Sequence, residues 1–252
     1  MNQNTTHLPI TGLPVGGVPP AVLVCGDPER ATLTADLFNE ASLLSERREY
    51  RAYRGMVAGM PVAVCSHGIG APGAAIAFEE LVAAGARRLI RIGTCGAMQP
   101  GMVAGDLVVA TAAVDRTGYG RLTVPDGYPA VASVRLTSAL LDAAAEQGHA
   151  VRSGIVLTND SFYPGVETPH ATPYPVLSAA GVVAVEMECA ALFVTGSLRV
   201  VQTAAILAVD GNVLEQRESM ETYDPHREAV SAAVEAEIAI ALLALQRSAG
   251  DR

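Results

Sequence analysis

Short apolar runs alternate along this chain with longer stretches whose apolar residues recur every three or four positions. AVLVCG (21–26) reads as a buried strand ending in glycine, and the helix ERATLTADLF follows at once. REYRAYRGMVAGMPVAVCSHG (48–68) alternates around a Gly-Met turn region, as a hairpin or meander does. GAAIAFEELVAAG (73–85) is a helix stopped by a C-terminal glycine. RRLIRIG (87–93) is a second buried strand and DLVVATAAV (106–114) a third, while residues 116–131, rich in Gly, Pro and Tyr, read as a functional or interface loop. A helix around 134–147 leads to strand VRSGIVLTND (151–160) and a Pro-rich loop over 163–175. In VVAVEMECAALF (182–193) a β-branched run ends in two carboxylates and a small-residue helix begins. Strand RVVQTAAILAVD (199–210), a polar loop over 211–224 and a helix from about 225 to 247 complete the pattern. Strand–helix alternation throughout predicts an α/β fold with a parallel or mixed sheet. No linker composition and no repeat interrupts it, so one domain is expected over residues 1–252.

In open α/β sheets ligands gather at the carboxyl ends of strands, and this chain places suggestive groups there. Gly26-Asp27-Pro28-Glu29-Arg30 follows the first strand: Gly26 lets backbone approach an anion, the helix start offers free N–H groups, and Arg30 adds a fork of donors. Arg91 lies inside an apolar strand, where it demands an anion, either a protein carboxylate or a ligand phosphate. Thr94, flanked by Gly93 and Gly96, adds a hydroxyl and an N–H. Glu186 and Glu188 fall on one strand face and Met187 on the other; near the strand end an acid and the thioether can reach one pocket. A carboxylate there suits a vicinal diol, or else caps the following helix. Asp210 ends another apolar strand, placed to protonate a leaving group if burial raises its pKa, or simply to make an Asp-Gly turn. Phe162 and Tyr163, in a chain with only 4% aromatics, can stack a planar base or serve as packing. His7 sits in what reads as a flexible arm.

The run from Gly68 to Gly73 matches GxGxxG, but the next strand carries Arg91 where a dinucleotide site needs an acid, so a smaller anion or a sugar fits better. Net charge of −9 and pI near 5.0 argue against nucleic acid as the main partner. All 17 basic residues are Arg, which excludes a Schiff-base or P-loop lysine. The four cysteines lack metal-ligand spacing and sit in apolar settings, as reduced thiols of a cytoplasmic protein do; no metal is expected. The first twenty residues do not read as a signal peptide, and the most apolar segment is broken by Glu235 and Glu237, so no membrane span is expected.

Taken together, VCGDPER, REY, CSHGIGAPGAAIAFEEL, RIGTCGAMQPG, NDSFYPG, VEMECAAL and AVDGN resemble the hexameric nucleoside phosphorylase family, which includes purine nucleoside and uridine phosphorylases. The resemblance implies a three-layer αβα sandwich around a mixed sheet, a homo-hexamer built as a trimer of dimers, and phosphorolysis of N-glycosidic bonds. No cofactor is implied beyond inorganic phosphate as co-substrate. Phosphate would be held by Gly26, Arg30, Arg91 and Thr94, with Arg48 of a neighbouring subunit. Ribose would meet Met187, Glu188 and the neighbour's His7, above a floor including Glu186. The base would meet Phe162, Val185 and Asp210, the last as acid to a purine N7. Where uridine phosphorylases follow FYPG with Gln-x-Arg, this chain has Val166 and Thr168, and its VDG resembles the apicomplexan type of purine enzyme. Purine is therefore expected over uracil, with a uridine phosphorylase, a hydrolytic nucleosidase and a non-catalytic nucleoside-binding protein as the rivals.

Overall fold

The computed structural model describes residues 6–163, 165–166, 168, 170–215, 224 and 227–249. In chain order the elements are β1 (Ala21–Cys25), α1 (Pro28–Ala35), β2 (Asn39–Arg47), β3 (Tyr50–Val57), β4 (Met60–Ser66), α2 (Ala71–Ala84), β5 (Arg88–Ala97), β6 (Leu107–Arg116) and α3 (Gly118–Thr123). They continue with β7 (Ala130–Val131), α4 (Val134–Glu146), β8 (Val151–Asn159), α5 (Tyr174–Ala179), β9 (Ala184–Glu186), α6 (Cys189–Arg199), β10 (Gln202–Asn212) and α7 (Glu228–Arg247).

The strands form one mixed sheet. β4, β1, β5 and β10 lie side by side in parallel, and β3 and β2 extend that edge as an antiparallel meander. Beyond β10, β6 runs antiparallel to it, with β8 parallel to β6 and β9 parallel to β8. β9 then returns onto the carboxyl end of β5, pairing Val185 with Gly96 and Ala184 with Ala97, so five strands close on themselves. β1 shows why helices cover both faces. Val22 and Val24 point into a core shared with α2 and α6, whereas Ala21, Leu23 and Cys25 point into one shared with α1, α4 and α7. A strand buried on both sides carries an unbroken apolar run, which is why AVLVC shows no alternation. The result is the mixed αβα sandwich expected.

Several boundaries differ from the sequence reading. β2 was not anticipated, because its nine residues are mostly solvent-exposed at the sheet edge and carry no alternating apolar signal. Residues 116–131 contain α3 and β7 besides loop, and the Pro-rich segment gives way to α5 at Tyr174. α6 runs on to Arg199 and closes through Val200 in the left-handed region (φ 55°), so β10 begins at Gln202. The segment around His7 is not a loose arm. His7 bridges Pro14, and Glu80 of α2 accepts from the Thr11 N–H (2.7 Å) and hydroxyl (2.6 Å). Most of the 211–224 loop and the expected first residues of the last helix lie outside the described residues. Among the described residues, no helix is long and apolar enough to cross a membrane.

Candidate active site

β5 is the strand on which the site is built, because its carboxyl half pairs with both β10 and β9. Arg91 stands within it, 4% exposed. Its guanidinium folds back over Gly93, where an added Cβ would lie 2.8 Å from the Arg91 Cζ, so any side chain there would have to displace the guanidinium. Nε donates to Glu186 Oε2 (3.2 Å), Nη2 pairs with Glu188 Oε2 (2.5 Å), and Nη1 meets His67 Nε2 (3.2 Å). Of the two anions its burial allowed, the chain supplies the first: protein carboxylates. One N–H on each terminal nitrogen remains for any further acceptor. Burial, which alone would lower the Arg91 pKa, is outweighed by Glu188 and Glu186, and the guanidinium is held firmly protonated. His67 lies 2.8 Å through Nδ1 from the Gly68 carbonyl oxygen, which only a ring N–H can satisfy, so Nε2 is the acceptor for Arg91. Burial first, and Arg91 second, hold its pKa well below the usual histidine value.

The two glutamates divide the roles that the sequence left open between them. Glu186 accepts from the Arg91 Nε–H, the Thr158 hydroxyl (2.6 Å), the Glu188 N–H (2.7 Å) and the Cys189 N–H (2.9 and 3.0 Å). It is the group that caps α6, and its acceptor capacity is filled by protein. Glu188 stands at the helix N-cap by position but makes no side-chain cap bond. Its carboxylate instead spans Arg91 and the Gly70 N–H (2.6 Å). Burial pushes its pKa up, against the pull of Arg91. Gly68 and Gly70, in the GxG turn before α2, both take positive φ (72° and 96°), which turns the Gly70 N–H to the acid. Met187 is half-buried beside them.

A second corner forms where α1 meets β5. The Gly68 N–H donates to the Gly26 carbonyl oxygen (3.1 Å), and a Cβ on Gly26 would lie 3.3 Å from the Gly68 oxygen, so these turns lie side by side. Arg30, in the first turn of α1, reaches the Ile92 carbonyl oxygen (3.4 Å) and, at 3.6 Å, Glu237 Oε1 of α7. Thr94 is half-buried on β5 next to Gly93. On the far side Asp210, 7% exposed, sits where the β10–β5 register slips between Val209 and Gly211. Such a bulge lifts one residue out of the ladder and re-aims its side chain. Val185 pairs with Gly96, itself paired with Gly211, so the two base-side candidates share β5 as neighbour. Phe162 is 53% exposed after β8 and meets Tyr163 edge-on (5.1 Å, 85°).

The profile described as the phosphorylase superfamily matches residues 20–246, nearly the whole chain. The chain belongs to this superfamily. A uridine phosphorylase from Treponema pallidum is 38% identical over 235 residues, covering 89% of this chain and 91% of the relative. The solved purine nucleoside phosphorylase of Toxoplasma gondii, in complex with immucillin-H, superposes with a TM-score of 0.92 at 35% identity, covering 98% of each chain. The uridine phosphorylase of Vibrio fischeri ES114 gives 0.85 at 32% identity, covering 97% of this chain and 99% of that one. This phosphorylase is accordingly a pentosyltransferase of the nucleoside phosphorylase class.

Among the described residues, no contact joins Arg48 or His7 to this cluster within the chain. Arg48 sits exposed at the β2–β3 turn with φ 57°, and exposed His7 meets the Thr6 hydroxyl through Nδ1 (3.0 Å). The sequence reading also missed three participants. His67 lay in plain view in the SHG turn, a histidine at the end of an apolar strand. Thr158, which links Glu186 to the Ala190 N–H (2.9 Å), resembles any strand threonine. Glu237, fully buried, was read only as an interruption of an apolar helix, and a buried acid in that place is itself a signal.

Proposed function

We propose that this phosphorylase cleaves purine nucleosides, using inorganic phosphate as the only co-substrate and no metal or organic cofactor. Cleaving a ribosyl bond builds positive charge on the sugar ring, as in glycoside hydrolysis, and an oxyanion fixed beneath that carbon both stabilises the charge and attacks it. Phosphate would lie between the Gly26 turn, Arg30, Thr94 and the two remaining N–H groups of Arg91, with Arg48 of a neighbouring subunit. Glu188 would take the ribose hydroxyls beside Met187, with the neighbour's His7, while Glu186 holds Arg91 and the start of α6 in place. Phe162 and Val185 would flank the base, and Asp210 would protonate N7. Because, among the described residues, no contact joins Arg48 or His7 to the cluster in their own chain, this reading needs an oligomer, and the family resemblance makes it a hexamer. Four buried, unpaired thiols support the cytoplasm as its compartment.

The observation that supports the purine reading is Asp210, a buried acid of β10 at the register slip beside the carboxyl end of β5. Val166 and Thr168 in place of Gln-x-Arg, and the higher TM-score with the purine enzyme (0.92 against 0.85), support it. The 38% identity with a uridine phosphorylase favours the second reading, uracil release from the same scaffold. Assays of inosine, guanosine, adenosine, methylthioadenosine and uridine, with and without phosphate, separate them. Turnover of a purine nucleoside well above uridine, and only with phosphate, is expected; preference for uridine overturns the purine reading, and phosphate-independent release makes the enzyme a hydrolase. Asp210→Asn should lower purine turnover by about 10²–10⁴, the range of general acid catalysis.

A further inference from the structure

Glu237 has no part in the reaction just outlined, yet no carboxyl group of the described chain is more deeply placed. It projects from the middle of α7 with 0% exposure. Its Oε2 accepts from the Gly93 N–H (3.3 Å), and the Ala208 N–H also bonds to the carboxyl group. Oε1 has no hydrogen-bond partner among the described residues, and the charge nearest it is Arg30 Nη1 at 3.6 Å. Thus a buried, half-satisfied carboxyl group sits directly behind the arginine and the strand turn assigned to the oxyanion. The local charges make this costly. Two guanidinium groups, Arg30 and Arg91, face three carboxyl groups, Glu186, Glu188 and Glu237. With all three ionised the cluster is negative before a doubly charged oxyanion arrives, and like charges in a low-dielectric interior repel strongly.

We propose that Glu237 is a positioning residue for the oxyanion corner: as a neutral acid it stands behind Arg30 while the oxyanion is bound, and in alkaline medium with the corner empty it ionises, holds Arg30 as a carboxylate, and takes a proton back from solvent when the oxyanion claims that arginine. This rests on the phosphate reading above and deepens it. Protonation removes one negative charge and loosens the hold on Arg30, so the oxyanion gains the guanidinium without facing a buried anion behind it. The other titratable and charged groups near Glu237 come from elsewhere in the fold. Arg30 comes from α1, Cys25 from β1, Arg91 and Cys95 from β5, and Asp210 stands two residues beyond Ala208 on β10. α4 packs on this seam through apolar Leu136, Leu140, Ala143 and Ala144, and Glu235 on α7 is exposed. Burial pushes the Cys25 thiol up to about 12 and Cys95 well above its ordinary value, so both keep their protons. Burial likewise pushes Glu237 up to about 8, against Arg30 and Arg91.

The test is titration calorimetry of the full-length protein with inorganic sulfate, which stays doubly charged near neutrality, so that protons counted come from the protein. Run at about pH 8.5 in two buffers of different ionisation enthalpy, it should show about 0.5–1 proton taken up per sulfate bound. Sulfate affinity should weaken by up to about tenfold per pH unit above pH 8. Glu237→Gln, which keeps an acceptor for the Gly93 N–H, should bind sulfate with no uptake and a flat pH profile. Sulfate binding without proton uptake by the wild type overturns the proposal without any variant, and uptake that persists in Glu237→Gln overturns its assignment to this residue. If neither sulfate nor phosphate binds at all, the oxyanion reading of the site falls, and this inference with it.

Discussion

A carboxyl group sealed into a helix–sheet seam keeps its proton, and that preference is a statement about stability. Glu237 releases its proton near 4.5 when exposed and at about 8 in the folded chain. Between those values the native state binds the extra proton, so its contribution is full at low pH and is lost as pH rises through about 8. Between pH about 6.5 and 8.5, wild-type stability in urea should therefore fall with pH. Glu237→Gln should fall less steeply, by up to about 1.4 kcal/mol per pH unit, and equal slopes would refute the assignment. His67 acts in the opposite sense: its depressed pKa gives a contribution present above the ordinary histidine value of 6.5 and lost below it. Glu188, also raised, adds a slope of the same sign as Glu237, which the variant retains. Gly93 belongs at this scale too, since the arginine two residues earlier occupies the space of any side chain there. That requirement was invisible along the chain, where the glycine read as part of an anion cradle.

Among elements, the join between β9 and α6 decides most. Strand alternation predicts Glu186 and Glu188 on one face, and both do reach Arg91. Alternation does not say which acid caps the helix, and the answer comes from β9 being only three residues long. The chain turns at once, bringing the Glu188 and Cys189 N–H groups back onto Glu186 and leaving Glu188 to span the GxG turn. Glu186→Ala would strip α6 of its cap acceptor and Arg91 of one counter-charge in a buried setting. A loss on the order of 3–5 kcal/mol in urea unfolding is expected, as for other broken buried pairs. A cost below about 1 kcal/mol, the worth of an exposed pair, would show that Glu186 bears little of the structure. The strands legible in the sequence were those buried on both faces. β2 was not, because an exposed edge strand needs its neighbour's backbone rather than its own side chains to define it.

For the molecule as a whole, closure of β5, β10, β6, β8 and β9 gathers residues from distant parts of the chain around one strand end. Among the described residues Arg48 and His7 make no contact with that gathering, and the proposed sharing of sites between subunits makes a sharp prediction. Arg48→Ala and Asp210→Asn, each impaired alone, should on mixed reassembly recover about a quarter of wild-type activity, since that share of sites pairs an intact acid with an intact neighbouring arginine. No recovery in demonstrably mixed oligomers would place Arg48 outside its neighbour's site. By itself the sequence determined the α/β alternation, the doubly buried strands and the residue types at their carboxyl ends, because periodicity and turn chemistry are local properties. Only the tertiary structure decided that both acids neutralise Arg91 while Glu186 alone caps α6, that His67 accepts from Arg91, and that Glu237 stands behind Arg30. Those choices depend on which charges share a buried volume, and that volume exists only once α1, α7 and β5 have packed together.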